Sequence, residues 1–140
     1  MYQRMKTLMD AEGLEYGKRT HTYNSRLAQE LGKWADTQEG GEAIHDELFK
    51  AYFVEGRNIG ELGVLVEVAG MAGLPVDDAT EVIGTRAFKD AVDADWMKSR
   101  QYGITGVPTF VVKKTGVVGA QPYEVLEQLV TEAGAKRRNA

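Results

Sequence analysis

Gly103-Ile104-Thr105-Gly106-Val107-Pro108-Thr109-Phe110-Val111-Val112 sets a proline directly before a β-branched and aromatic run. The composition of residues 109–112 predicts a strand. Pro108 has no amide to donate to a ladder, so it belongs at the strand's first residue or on an edge. Lys114-Thr115-Gly116 then predicts a turn and Val117-Val118 a short return strand, giving a hairpin. Gly119-Ala120-Gln121-Pro122 leads into a last helix, with Pro122 in its first turn and Val125, Leu126, Leu129 and Val130 facing inward. A sheet of two strands is marginal in water, so this hairpin requires a further strand, a helix cover or a partner chain.

Toward the N-terminus the pattern is helical throughout. Met1, Met5, Leu8 and Met9 predict an apolar helix face over 1–12, closed by Gly13. Asn24-Ser25 offers a cap, Ser25 in particular, for a helix over 25–37 burying Leu27, Ala28, Leu31, Trp34 and Ala35. A third helix is expected over 42–55 with Ile44, Leu48, Tyr52 and Phe53 inward, and a fourth over 62–72 before Gly73-Leu74-Pro75. Asp77 would cap a short fifth helix to about Gly84. A sixth would run over 86–102 with Phe88, Val92, Trp96 and Met97 inward. The expected fold class is therefore α/β but mostly α. It divides into a mainly helical domain over 1–102, whose last helix leads back to the sheet, and a β-containing domain over 103–140.

Composition narrows the function classes. The 140 residues carry a net charge of −4, with 17 basic against 21 acidic side chains. That balance gives no basic stripe and argues against nucleic acid. Lys136-Arg137-Arg138 reads as a solvated tail. No apolar run approaches the roughly 20 residues that span a bilayer, so no membrane partner is expected. No apolar segment follows the basic start, so no signal peptide is visible and a cytoplasmic location is expected. The cysteine count is zero, which leaves no disulfide, thiolate ligand or cysteine nucleophile within these residues.

Other chemistry-bearing residues point to no reaction. His21 and His45 are the only histidines, and neither stands in the i, i+4 pair of a zinc helix, so no metal is expected. Ser25 and Ser99 lie outside any G-x-S-x-G elbow. Gly103-x-x-Gly106 and Gly116-x-x-Gly119 lack the lysine of a phosphate loop and fit turns. Asp77-Asp78 and Asp93/Asp95 fit helix starts and solvent faces.

Four stretches in order resemble the DsbA family, in particular its FrnE-like branch. They are Asn24-Ser25-Arg26-Leu27-Ala28, then Ala51-Tyr52-Phe53-Val54-Glu55-Gly56-Arg57-Asn58-Ile59-Gly60, then Gly73-Leu74-Pro75. The fourth and most specific pairs Gly103-Ile104-Thr105-Gly106-Val107-Pro108-Thr109-Phe110-Val111 with Gly119-Ala120-Gln121-Pro122. The resemblance implies a thioredoxin fold interrupted by a helical insertion domain, with residues 103–140 supplying its returning hairpin and final helix. The C-x-x-C redox centre, with the first strand and helix of the fold, would precede Met1.

On this resemblance Gly106, Val107 and Pro108 form the substrate-binding loop, with a cis Val107-Pro108 bond and the Val107 backbone pairing with an extended segment. The intact protein would be a thiol–disulfide oxidoreductase or isomerase acting on protein or peptide thiols and disulfides, without a cofactor. These 140 residues would be redox-inactive alone and hold no catalytic residue. Gln29 stands where relatives often carry histidine. Two alternatives remain open: a non-catalytic peptide- or protein-binding module, and a relative of the kappa-class glutathione transferases and hydroxychromene carboxylate isomerases. Unpaired strand edges and apolar helix faces predict a homodimer.

Overall fold

Ala28, Leu31, Trp34 and Ala35 return to one side of a helix every three or four residues, and that side is where the first core forms. The protein is described by a computed structural model covering residues 1–139. Helix α1 spans Tyr2–Ala11, α2 Arg26–Ala35 and α3 Ala43–Phe49. A π turn, Lys50–Val54, continues α3, followed by α4 Leu62–Met71, α5 Val76–Thr85 and α6 Lys89–Gln101. Strands β1 Thr109–Val112 and β2 Thr115–Val118 then precede α7 Tyr123–Glu132. The chain divides into two compact units, one of residues 1–94 and one from Asp95 onward, the boundary falling inside α6.

In the first unit the four residues of α2 join Ile44 of α3, Leu65, Val68 and Ala69 of α4, and Ala79 and Ile83 of α5 in one buried cluster. Each fully buried Leu, Ile or Val there contributes about 1.5–3 kcal/mol over its exposed state. Ser25 occupies the N-cap position of α2, but its side chain does not cap the helix. Its Oγ instead accepts the Gln29 side-chain amide at 2.9 Å. The backbone amide of Arg26 donates to Asn24 Oδ1, two residues upstream, at 2.9 Å. An Asn oxygen two residues upstream makes this bond without distorting the first turn.

The third helix does not stay α-helical to its end. The Glu55 amide bonds to the Lys50 carbonyl at 3.0 Å, an i to i−5 pairing, and the Phe53 carbonyl instead accepts the Gly17 amide at 2.9 Å. Gly17 is required there, because a Cβ at this position would lie 1.8 Å from the Val54 carbonyl oxygen. Arg19, two residues on, places its guanidinium 4.2 Å from the Tyr52 ring centroid.

Several expected boundaries and faces are corrected. Helix α5 starts at Val76 with Pro75 as its N-cap, so Asp77 lies in the first turn rather than capping it. It runs past Gly84 and ends at Arg86, a non-glycine residue at φ 57°, which cannot then begin the sixth helix. Phe88 and Val92 pack inward, but Trp96 and Met97 are about half exposed, at 49% and 54%. Met1, Met5 and Leu8 are exposed as well, and α1 buries no residue. Apolar spacing identifies a helix side but not whether anything covers it.

In the second unit β1 and β2 pair antiparallel, with Thr109 opposite Val118 and Val112 opposite Thr115. The connection is therefore the two residues Lys113-Lys114, with Lys113 at φ 56°, and not Lys114-Thr115-Gly116. Gly116 sits in the strand, where a Cβ would approach the Phe110 carbonyl oxygen at 3.2 Å. Helix α7 packs against both strands and buries Leu129, whereas Val130 is exposed. Pro122 is its N-cap, one residue before the first turn.

Candidate functional site

Residues 103–108 reach the hairpin by a short loop that starts after α6, with Gly103 at φ 69°. Thr109 anchors it: Oγ1 donates to the Gly106 carbonyl at 2.6 Å. The Pro108 carbonyl accepts the Gly119 amide at 2.8 Å, so the ladder extends one residue upstream of β1 through an acceptor, the role left to a proline. Gly119 itself is at φ 95°, a conformation that suits glycine at the exit of β2. The Gln121 side-chain amide donates to the Val118 carbonyl at 2.7 Å and braces that exit.

The Val107–Pro108 peptide bond is cis. Gly106 is half-buried, whereas Val107 stands 90% exposed and Pro108 is exposed. Among the described residues nothing hydrogen-bonds to the Val107 amide or carbonyl. A backbone amide and carbonyl held on a braced loop and left unpaired are what an added extended segment requires. The three sequence-expected residues thus lie together on one exposed loop. The unpaired Val107 backbone has no signal in the sequence, because hydrogen-bond vacancy depends on which strands are present.

The remaining candidates do not assemble into a site. His45 Nε2 lies 2.7 Å from Asp36 Oδ1 on the surface, and His21 stacks on Tyr23. No group of three or more His, Cys, Asp or Glu side chains suited to a metal exists among the described residues. Asp93 is on the solvent side as expected, and it is also engaged: Lys89 first and Arg26 second hold its carboxyl down to about 2. No helix among the described residues is long and apolar enough to cross a membrane.

Sequence reasoning missed Glu30. It is fully buried, and Arg86 grips it from 56 residues away with Nε at 2.8 Å and Nη2 at 2.7 Å. Those bonds hold its carboxyl below the usual carboxylate range against the opposing effect of burial, with Arg26 adding to them.

With this geometry in view, the chain belongs to the DSBA-like thioredoxin domain family, whose pattern it matches over residues 1–131. It is similar to the YwbO protein of Bacillus subtilis, 29% identical over 119 residues that make up 84% of this chain and 58% of the relative. It also resembles a solved structure, that of a probable DsbA oxidoreductase from Streptomyces coelicolor. That likeness has a TM-score of 0.86 and 32% identity over 99% of this chain and 61% of the other. The chain therefore spans about three-fifths of the length of both proteins. Its fold is the α/β, mostly helical portion of a DsbA-like thioredoxin fold.

Proposed function

We propose that these residues form the substrate-docking portion of a FrnE-like DsbA-family thiol–disulfide oxidoreductase or isomerase. Gly106, Val107 and Pro108 receive an extended peptide, and the exchanging thiols come from residues outside these 140. The observation that carries this reading is the exposed Val107 with its backbone amide and carbonyl unpaired beside a strand. A client segment adds there by main-chain hydrogen bonds, which accept many sequences, as a protein acting on varied thiols requires.

In the exchange a thiolate attacks one sulfur of a disulfide, forming a mixed disulfide and releasing the other sulfur as thiolate. A second thiolate then resolves the mixed bond. With no cysteine, the chain's part is to hold the client backbone and thereby orient its sulfur.

The test is fluorescence anisotropy with a labelled, cysteine-containing extended peptide and the same peptide N-methylated along one edge. The docking reading expects the methylated peptide to bind at least about tenfold more weakly. Equal binding of the two would refute it. The absence of cysteine also supports a second reading, a non-catalytic peptide-binding module. Insulin reduction by the protein from its source cells separates the two, since only an oxidoreductase accelerates it.

The unpaired strand edges support a symmetric homodimer as well. Light scattering at high concentration would then report twice 15.4 kDa, and a mass of 15.4 kDa throughout would rule that assembly out.

A further inference from the structure

The strongest feature outside the docking loop is the charged cluster inside the helical unit. Glu30 is the one buried charged residue among those described, with no exposed surface at all. Its carboxylate accepts two bonds from the planar fork of Arg86 and a third from Arg26 Nε at 3.1 Å. Arg26 in turn donates to the Lys89 carbonyl at 3.0 Å and pairs with the Asp93 carboxylate, which also accepts Lys89 Nζ at 2.6 Å. One arginine of α2 thus holds the buried carboxylate with one arm and the first turn of α6 with the other.

The backbone at Arg86 makes this arrangement a device rather than a passive pair. Arg86 is the residue that ends α5, in the left-handed region at φ 57° and ψ 35°, a place usually filled by glycine or asparagine. A side chain with a Cβ persists there when its surroundings hold it, and the bidentate grip on Glu30 does so. Helices α2 and α5 are in contact, and Ala28 and Leu31 of the one and Ala79 and Ile83 of the other belong to the same buried apolar cluster. The charged groups acting on Glu30 are Arg86 and Arg26, with Asp93 and Lys89 one step removed.

We infer that this cluster is an acid-operated latch on the corner between α5 and α6. While Glu30 is ionised the corner is closed, and when Glu30 takes up a proton Arg86 leaves for water and residues 85–89 open. The Arg86 side chain is already 43% exposed, so its release exposes no new charge to a dry interior, whereas a neutral Glu30 has lost its reason to hold it. The helices around the core keep their own apolar contacts, so the opening is local.

The inference stands apart from the docking reading, and its test touches no residue of that loop. Amide exchange of the whole chain is followed across the acid range, each rate divided by the unfolded-chain rate at the same pH. Protection of residues 86–92 is expected to fall at least about tenfold between about pH 5 and 3, while the α4 amides of Leu65 to Ala69 stay protected. Glu30→Gln should open the corner at neutral pH and flatten its profile. Arg86→Gln, which removes the other half of the same grip, should likewise open the corner at neutral pH and flatten its profile, and it serves where the first variant fails to fold. A corner protected through the whole range, or one still closed at neutral pH in Arg86→Gln, would overturn the latch.

Discussion

The two units differ in how much of their apolar surface they bury. Every member of the large buried cluster belongs to residues 1–94, whereas the second unit buries one large hydrophobic side chain, Leu129. Val107, Phe110, Val111, Val118 and Tyr123 all remain substantially exposed in that second unit. The cause lies in the hydrogen bonds. A helix satisfies its backbone within one segment, so a few short helices can close a core among themselves. A strand is satisfied only by its neighbours, and a two-stranded sheet leaves one edge of each strand open. Buried apolar surface and open strand edges therefore lie in different parts of the chain.

The largest expected effect comes from this contrast. Leu31→Ala removes a fully buried side chain from the helical core and should cost about 3 kcal/mol in urea denaturation. A loss below about 1 kcal/mol would mean that the helical unit is not the stable half. Gly17→Ala comes next, since its Cβ would meet the Val54 carbonyl head-on. The strap over the π turn should lift, costing about 2 kcal/mol, read as a lowered Tm together with faster exchange of the Gly17 amide.

An acid titration sharpens the comparison further. Glu30 and Asp93 have carboxyls held below their ordinary values. Such groups contribute stability that is fully present above the unfolded-state value and is lost as pH falls through the folded one. The helical unit should accordingly weaken as pH drops below about 4.5, with the share of Asp93 persisting toward about 2. The second unit has no buried carboxylate among its described residues. Far-ultraviolet dichroism showing a transition at neutral pH would contradict this. The smallest effect belongs to Val118→Ala, where the side chain is already exposed and the change should stay within about 0.5 kcal/mol. A larger loss would show that something covers the hairpin in solution.

How far the sequence reveals this structure depends on the range of each signal. Apolar spacing locates α2 and α4 well, because the pattern and the structure share a 3.6-residue period, and β-branched and aromatic composition locates β1. The residues proposed for docking are legible as a motif, Gly106-Val107-Pro108, yet the vacancy of the Val107 backbone is not. Gly116 looks like a turn residue, but its glycine serves a close approach inside the strand, which is why the expected turn starts one residue late and ends two residues late. Arg86 looks like a helix start because nothing near it in sequence announces Glu30. The pair joins residues 56 apart, and only the packing of α2 against α5 brings them together. The exposed faces of α1 and of the last turns of α6 escape the sequence for the same reason.

The π turn at Lys50–Val54 bears on how such a chain can change over generations. A π turn is a helix carrying one residue more than its regular pitch needs. Deleting any one of those five residues would restore the ordinary pitch and leave the fold class intact. The flanking helical turns would keep nearly the same facing, because a π turn absorbs its extra residue through its wider pitch, but the Phe53 carbonyl would no longer be offered to Gly17. Descendants of this sequence should therefore keep or lose the extra residue and the glycine together, as a single inherited unit.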